Sequence, residues 1–390
     1  MIILKIKVKV DKMVKTLEGS HAIADMIVNC EADVLACYPI TPSTHIAEKL
    51  QKYYADGKIP EYITVEQEFS AISALAGASA TGARTFTTTS SQGVALMHEV
   101  LYAVAGMRLP IVMCVANRSL NSPLGIWCDH QDIIPERDSG WIILMCESNQ
   151  EAVDTLPQAY KLAESLLLPV MVCIDGFYLT HAVEQIDVPS KEIVQKFLPK
   201  FKPEFKLDTN NPITLGIYST PQYLQDFRED LANDVDNARE PIKKTEEEFS
   251  KIINRNYGNG LIENYKCDDA ERIIIAMSSF CGNVKEAIDE LRDKGEKVGL
   301  LRIKSYRPFP YKDVQEILKN KKHVGVFDRA TTLGGHPPLY TDVLAAIYDS
   351  DQKVPISSFI GGLGGKDVTV ETAKNIFEDL KENKIKRKFV

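Results

Sequence analysis

Short apolar runs of strand length alternate with longer segments of helical period along most of this chain, and this alternation is the strongest constraint on its fold. A parallel strand pair needs a crossover connection, usually a helix, so the alternation is typical of parallel sheets covered by helices. The helix predicted over residues 21–30 places Ala22, Ile23, Met26 and Ile27, with Cys30, on one face. We therefore predict an α/β fold.

The alternation forms two blocks. In the first block the predicted strands are VLACY, RTFTTT, IVMCVA, WIILMC and PVMVCI, and the predicted helices cover residues 21–30, 44–54, 68–80, 93–105 and 150–167. In the second block the predicted strands are RIIIAM, VGLLRI, HVGVFD and ISSFIG, and the predicted helices cover residues 283–294, 311–320, 339–348 and 370–382. A polar stretch from about 189 to 266 separates the blocks and contains one predicted exposed helix over 221–249. A chain of 390 residues is long enough for two domains. We expect two three-layer α/β/α domains with mainly parallel sheets, residues 1–255 and 256–390.

Charge and hydropathy exclude several classes of function. The net charge is −8, which disfavours nucleic acid as a partner, and no apolar run approaches the roughly 20 residues of a membrane helix. The N-terminal sequence MIILKIKVKVDKMVK alternates apolar residues with lysine, which predicts an extra edge strand and no signal peptide. We expect a cytoplasmic protein.

The metal-ligating residue types show no recognisable spacing. The eight cysteines form no CxxC pair, and most lie in apolar runs, so we expect free buried thiols with no zinc ribbon and no cysteine-bound iron–sulfur cluster. The seven histidines form no HExxH motif. The sequence thus predicts no metal site.

Small polar residues follow four predicted strands of the first block. The loops are PITPST after VLACY, SSQG after RTFTTT, NRS after IVMCVA and DGF after PVMVCI. In parallel sheets the carboxyl ends of the strands share one rim, and ligands bind beyond that rim. We expect a ligand site there, with Arg118 of the NRS loop as its cation.

Each of these residues also has a plainer interpretation. Two prolines bracket Thr41, and such a corner is often only a loop. Ser90 or Ser91 is suited to cap the following helix, and Glu68 is suited to a helix N-terminus. Arg118 at a strand end is placed to bind a carboxylate with two hydrogen bonds, although most arginines lie on the surface.

Two further segments carry less information. GGLGGK at 361–366 lacks the spacing of a phosphate loop and predicts a strand-to-helix turn. WCDHQD at 127–132 is an exposed turn or a polar loop near the rim. The chain also lacks the glycine-aspartate-glycine signature with which thiamine enzymes hold magnesium and diphosphate.

Several segments resemble one family. The first domain of pyruvate:ferredoxin oxidoreductases is matched by YPITPST, VEQEFSA, TTTSSQG, ANRSLNSPLGIWCDHQD and DGFYLTHA. Their transketolase C-terminal-like domain is matched by GNVKEAIDELRDKGEKVGLLRIKSYRPFP and DRATTLGGHPPLYTDV. The matching segments occur in the family's order over nearly the whole chain. In this respect the chain resembles the separate α subunit of the multi-subunit form of these enzymes.

The resemblance implies oxidative decarboxylation of pyruvate with coenzyme A to acetyl-CoA and carbon dioxide, a step of anaerobic metabolism whose electrons pass singly to ferredoxin. It implies a heterotetramer in which this chain, with a thiamine-diphosphate pyrimidine-type first domain, shares thiamine diphosphate with a β subunit. The β subunit would hold magnesium, and the β and δ subunits the iron–sulfur clusters, beside a γ subunit. The missing diphosphate signature is consistent with that division.

The resemblance also assigns roles to residues of the rim. Glu68, with Glu66 in reserve, would hydrogen-bond the pyrimidine ring of the cofactor and favour its imino form. Arg118 and Thr41 would bind the carboxylate of pyruvate. The remaining cofactor-binding positions are Pro39, Ile40, Ser91 and Gln92. Asp129 and His130, kept from the family's DHQD, would lie near the interface cleft, with no chemical step assigned.

Two alternatives remain open. A sister oxidoreductase would use 2-oxoglutarate, a branched-chain oxoacid or an aryl pyruvate through the same rim. A non-catalytic scaffold that only docks a partner would have no need for arginine and hydroxyls at one sheet edge.

Overall fold

The computed structural model describes residues 14–350, 353–382, 384 and 386–390. The edge strand predicted for residues 1–15 lies outside these residues except for its last two, which begin the first described strand. The strands are β1 Val14–Glu18, β2 Val34–Cys37, β3 Glu61–Thr64, β4 Thr85–Thr89, β5 Val112–Asn117, β6 Ile142–Met145, β7 Val170–Asp175, β8 Val183–Asp187, β9 Ile262–Tyr265, β10 Arg272–Ala276, β11 Val298–Ile303, β12 Ser305–Arg307, β13 His323–Asp328, β14 Ile356–Ile360 and β15 Arg387–Phe389.

The helices are α1 Gly19–Asn29, α2 Thr44–Ala55, α3 Glu68–Ala80, α4 Gln92–Gly106, α5 Asn149–Leu166, α6 Lys191–Phe197, α7 Pro221–Asn237, α8 Arg239–Ile253, α9 Phe280–Asp293, α10 Tyr311–Leu318, α11 Pro338–Tyr348 and α12 Val370–Asp379. All nine predicted strands and the nine predicted helices outside the polar stretch are present, with ends that differ by a few residues. None of the helices in the described part of the chain is long and apolar enough to cross a bilayer.

Two large sheets organise the chain. The first has seven strands in the order β12-β6-β7-β5-β4-β2-β3, and the second has six in the order β15-β14-β13-β10-β11-β9. All neighbours are parallel except the edge pairs β12–β6 and β9–β11. Helices pack on both sheets, with α3 on α4 and α1 on α5 in the first block, and α9 on α12 and α10 on α11 in the second. The predicted α/β class with mainly parallel sheets is confirmed.

The prediction of one exposed helix in the polar stretch was wrong. The segment 221–249 is two helices, α7 and α8, which meet at Ala238. Helix α8 is also not simply a solvated charged element, because Ile242 and Phe249 are buried. The charged residues of α8 are interspersed with apolar residues that form one face of the helix, and this face packs on α5.

Strand β12 belongs to the second block of the sequence but pairs with the first sheet. Its Ser305 lies opposite Leu144 and its Arg307 opposite Ile143 of β6. The two halves thus share a sheet edge, and the domain boundary predicted at residue 255 stays a prediction.

A buried ionic cluster joins the same two halves. The Arg302 guanidinium donates to both carboxylate oxygens of Glu151 on α5, at 2.7 and 2.8 Å. Next to it, the Lys304 Nζ donates to Glu246 of α8 at 2.7 Å. All four side chains are almost fully buried, so each charge depends on its partner.

The crevice of the first sheet is placed by its topology. The chain runs from β2 outward to β3 and then crosses back to β4 on the other side of β2. This reversal makes the carboxyl ends of β2 and β4 a switch point, which is where open α/β sheets bind ligands. The two loops that begin there are PITPST and SSQG.

Candidate functional site

The carboxylate of Glu68 lies at the switch point. Glu68 is the first residue of α3, and its side chain is buried at 6% exposure. A Cβ on Gly93 would lie 2.7 Å from its Oε1, so the glycine leaves the space that the carboxylate needs beside the start of α4. Burial raises the pKa of Glu68, and none of the described ion pairs involves it. The site thus holds a carboxyl group able to share a proton.

Glu66, the reserve candidate, has a different environment. Its side chain is exposed, and its Oε1 accepts a hydrogen bond from Ser70 at 2.5 Å. The Ser70 hydrogen bond lowers its pKa. Glu66 is therefore an ordinary ionised surface acid, and Glu68 is the better candidate.

Arg118 and Thr41 are neighbours, as predicted from the two loops. The Arg118 Nη1 donates to the Thr41 carbonyl at 2.9 Å, and its Nε donates to the Gly125 carbonyl at 2.8 Å. These bonds fix the guanidinium plane while using two of its five N–H donors. Burial lowers the pKa of Arg118 from its ordinary value, but the group stays charged because arginine is protonated throughout the physiological range.

The other predicted cofactor-binding residues lie along the same rim. Pro39 and Thr41 are exposed, while Ile40 uses its carbonyl to accept the Ser43 hydroxyl and amide. The Ser91 hydroxyl donates within the protein, to Gln92 Oε1 or to the Ser119 carbonyl. Ser91 occupies the N-cap position of α4 but makes no capping bond with its side chain, and the Ser90 hydroxyl has no protein partner.

Several buried polar atoms at this rim have no protein partner. They include the Nε2 of Gln92 and the hydroxyls of Thr89, Ser90 and Ser119. A buried polar atom without a partner costs free energy unless a ligand or water satisfies it. Together with the carboxyl group of Glu68 and the space beside Gly93, this lining fits the nitrogen-rich face of a pyrimidine.

Asp132, the last residue of WCDHQD, holds the rim together. Its Oδ2 accepts from the amides of Ser91 and Arg118, at 3.0 and 2.9 Å, and its Oδ1 accepts from Asn117 at 2.9 Å. Burial raises its pKa to about 7. Asp132 could not be singled out from the sequence, because only the folded chain brings the ends of β4 and β5 to it.

Asp129 and His130 lie between the two sheets of this chain, and their predicted location near the interface cleft stays a prediction. Asp129 Oδ2 accepts from the Gly364 amide at 2.9 Å, and the His130 amide donates to the Arg329 carbonyl at 2.9 Å. Gly364 belongs to GGLGGK, which forms the predicted turn between β14 and α12. These contacts attach the WCDHQD loop to the second sheet.

Asp175 completes this junction and was missed from the sequence. The Arg329 Nη1 and the Ser279 amide both donate to its Oδ2, at 2.7 and 3.1 Å, and His130 Nε2 lies 2.9 Å from its Oδ1. Burial alone would raise the pKa of Asp175, but Arg329 and His130 lower it below its ordinary value. Ser279 and Arg329 follow β10 and β13, the switch point of the second sheet, so Asp175 fills that crevice.

The eight cysteines are buried and form no disulfide, which confirms the predicted free thiols. Burial raises the pKa of Cys114 and of Cys128 in particular. The thiols at these sites are protonated and have the character of core residues.

Two family models match the chain. "Pyruvate flavodoxin/ferredoxin oxidoreductase, thiamine diP-bdg" covers residues 26–247, and "Pyruvate:ferredoxin oxidoreductase core domain II" covers residues 270–373. Together the matches include every strand of the two large sheets except β9 and β15, the edge strands of the second sheet.

Similar proteins carry related names. The chain is 46% identical over 373 residues to pyruvate synthase subunit PorA of Methanocaldococcus jannaschii, with 95% of each chain covered. It is 46% identical over 360 residues to PorA of Methanothermobacter thermautotrophicus, with 92% of each covered. It is 41% identical over 370 residues to ketoisovalerate oxidoreductase subunit VorA of Pyrococcus abyssi, with 94% and 93% covered.

Among solved structures, the chain resembles a 2-oxoglutarate:ferredoxin oxidoreductase from Magnetococcus marinus, with a TM-score of 0.71 and 21% identity. The match covers 95% of this chain and 66% of that one. A split-gene transketolase matches with a TM-score of 0.53 and 10% identity over 94% of this chain and 98% of that one. These likenesses concern the fold. The family matches and the relatives above 40% identity show that the chain belongs to the pyruvate:ferredoxin oxidoreductase family.

Proposed function

We propose that this chain is the α subunit of a pyruvate:ferredoxin oxidoreductase, a pyruvate synthase when it runs in reverse. The observation that carries the proposal is the switch point of the first sheet. There the buried carboxyl group of Glu68 lies beside Gly93, in the first turn of α4. Asp132 joins the amide of Ser91, directly before α4, to the amide of Arg118, whose guanidinium is fixed. A buried proton donor and a carboxylate-binding cation are the two groups that 2-oxoacid decarboxylation on a thiamine cofactor requires of this subunit.

Glu68 is proposed to hold a proton at the pyrimidine ring of thiamine diphosphate, with Pro39, Ile40, Ser91 and Gln92 around that ring. When bound, the cofactor supplies the electron sink for decarboxylation. Burial favours the protonated carboxyl group, so Glu68 can donate a hydrogen bond to a ring nitrogen and take the proton back. Gly93 has no side chain and so leaves space for the ring beside the Glu68 carboxyl group.

Arg118 and Thr41 are proposed to bind the carboxylate of the oxoacid. The two carbonyls that Arg118 contacts fix its plane, and its remaining donors are free to form charge-assisted hydrogen bonds. The exposed Thr41 would add a hydroxyl from the other side. Positioning the carboxylate in this way also positions the bond that breaks, which is a proximity effect.

The proposal includes partners that this chain would need. A β subunit would contribute the magnesium and diphosphate half of the site, and β and δ subunits the iron–sulfur clusters, in a heterotetramer with γ. Coenzyme A would accept the acetyl group and ferredoxin the electrons. The lack of a diphosphate signature and the burial of all eight cysteines support this division. A cytoplasmic location is part of the same proposal.

A branched-chain oxoacid is the second candidate substrate, because the VorA relative is 41% identical over 94% of this chain. The rim residues described above bind a carboxylate and do not distinguish the side chains of oxoacids. The choice between the two substrates therefore needs an assay.

The test is reconstitution of the complex with its β, γ and δ subunits, followed by reduction of a viologen dye with coenzyme A and one oxoacid at a time. We expect kcat/KM for pyruvate to exceed that for ketoisovalerate, 2-oxoglutarate and aryl pyruvates by at least about tenfold, equivalent to about 1.4 kcal/mol of transition-state binding. Faster reduction with another oxoacid would overturn the substrate assignment. No reduction with any oxoacid by an assembled complex would overturn the catalytic proposal.

A further inference from the structure

A cluster of two histidines and one glutamate lies apart from the residues proposed for catalysis. Glu18 ends β1, His45 is in the first turn of α2, and His181 lies in the loop between β7 and β8. One ligand atom from each side chain lies within 4.8 Å of the others. The three residues are 27 and 136 positions apart, so no sequence spacing could reveal them.

The contacts within the cluster are close and partly shielded from water. His45 Nδ1 lies 2.7 Å from Glu18 Oε1, and the ring centroids of His45 and His181 are 4.6 Å apart. The Glu18 side chain is 17% exposed and that of His45 is 42% exposed. The Phe177 ring covers His181, with centroids 4.6 Å apart. One side of the cluster is thus apolar and the other faces solvent.

A supporting hydrogen bond orients His181. Its Nδ1 lies 2.7 Å from Thr180 Oγ1, which also accepts the Phe177 amide at 2.8 Å. This arrangement leaves Nε2 of His181 for the cluster. Metal-binding histidines commonly use their second ring nitrogen in this way, and the contact sets both tautomer and ring angle.

The described ion pair of Glu18 is with His45. None of the described ion pairs joins this carboxylate to a lysine or an arginine. A carboxylate that no lysine or arginine neutralises can bind a cation together with the two imidazoles.

We propose that Glu18, His45 and His181 bind one divalent transition-metal ion of the zinc class. Two imidazoles and one carboxylate are a ligand set for Zn²⁺ or Co²⁺, whereas Ca²⁺ and Mg²⁺ prefer oxygen ligands alone. Water would take the solvent-facing position. The nearest further imidazole is His21, whose ring centroid is 6.4 Å from that of His45.

Such an ion would be structural, because it connects three separate segments. It would attach the β1–β8 pair to the start of α2, four residues beyond Thr41, and to the loop that contains Phe177. Binding to the folded state alone would raise the stability of the chain in proportion to the logarithm of the free metal concentration.

The test starts from the full chain after chelation and dialysis, titrated with Zn²⁺ by calorimetry and with Co²⁺ by visible absorption. We expect one equivalent to bind, with the d–d bands of low-symmetry four- or five-coordinate Co²⁺. His45→Gln and His181→Gln are each expected to weaken binding by about 100-fold. His181→Cys should retain binding and add a thiolate-to-Co²⁺ charge-transfer band in the near ultraviolet.

The matched control is His98→Gln. His98 Nδ1 also faces a glutamate, Glu136, at 2.9 Å, but this pair belongs to no described three-ligand cluster. We expect the control to bind the metal as the unchanged chain does. Circular dichroism of each variant verifies the fold. Absence of stoichiometric binding, or binding that survives both glutamine substitutions in one folded chain, would overturn the proposal.

Discussion

At the scale of single residues, Glu68 combines burial with the absence of a described cationic partner. Most buried acids in this chain are paired, as Asp175 is with Arg329. A buried acid without a cation keeps its proton more easily, because desolvation penalises the charged form. Gly93 lies beside its Oε1 and has no side chain that could pair with the carboxyl group.

Glu68→Gln in the assembled enzyme is expected to lower kcat by about 10²–10⁴-fold, the usual loss when a general acid–base group is removed. Glutamine keeps the size of the side chain but cannot exchange the proton. The measurement is dye reduction with pyruvate, and gel filtration verifies that the subunits still assemble. Glu66→Gln is the control, with a rate expected to stay within about twofold since Glu66 is exposed. An unchanged rate in the Glu68 variant would favour the scaffold hypothesis.

Residue types and the expectation of parallel strands were enough to place Thr41 and Arg118 near one rim, and the family resemblance assigned Glu68 to the same site. They were not enough to find Asp132, whose three hydrogen-bond donors come from two other strand ends. Nor could they find Asp175, whose partners lie 45, 104 and 154 positions away. Local patterns carry no information about such pairings, which arise only when distant loops meet.

At the scale of elements, the contact of α5 with β11 depends on buried charges. Burial alone would raise the pKa of Glu151, but Arg302 and Lys304 lower it to about 2. The ordinary value is about 4.3, so the folded state favours the ionised form. The resulting stability is fully present above about pH 4.3 and is lost as the pH falls toward 2.

Glu151→Gln is expected to lower the free energy of unfolding at pH 7 by about 3–5 kcal/mol, because it leaves two buried cations short of a partner. Because the variant lacks this ionisable carboxyl group, its free energy of unfolding should also fall less than that of the unchanged chain between about pH 4.3 and about pH 2. Urea unfolding at pH 7, 4 and 3 measures both effects. The control is Glu247→Gln, which removes an exposed pair with Lys251 and should cost less than about 0.5 kcal/mol. Equal effects for the two variants would contradict the argument.

Element boundaries followed the continuous apolar runs closely where a strand is buried along its whole length. Strands β11 and β13 begin and end at their predicted residues. The exception is the break at Ala238 between α7 and α8, where alanine itself gives no signal to end a helix. Beyond the break, Ile242 and Phe249 of α8 are buried in the core, so the position of the helix depends on tertiary packing.

At the scale of the whole molecule, one sheet has an open crevice and the other has a filled one. The carboxyl ends of β2 and β4 carry buried polar atoms without partners. The corresponding crevice of the second sheet is occupied by Asp175. The first crevice is therefore the face that the proposed function uses, and the sequence of this chain has no signature for the diphosphate half of the cofactor.

We expect the isolated chain to bind thiamine diphosphate at least about 100-fold more weakly than the complex, a difference of about 3 kcal/mol. The contacts that this chain provides address the pyrimidine and not the diphosphate. Calorimetry with magnesium present, on the isolated chain and on the complex, gives the two constants. Tight binding to the isolated chain would contradict the division of the site between subunits.

Strand β12 has a consequence for any shortened form of the protein. A polypeptide that ends at residue 255 would lack Ser305 and Arg307, which cover the outer edge of β6. The uncovered N–H and C=O groups of a flat apolar strand are a template for pairing with another copy. The first domain produced alone would therefore be prone to edge-to-edge aggregation, and a version that keeps it monomeric would have to supply a replacement for these three residues of β12.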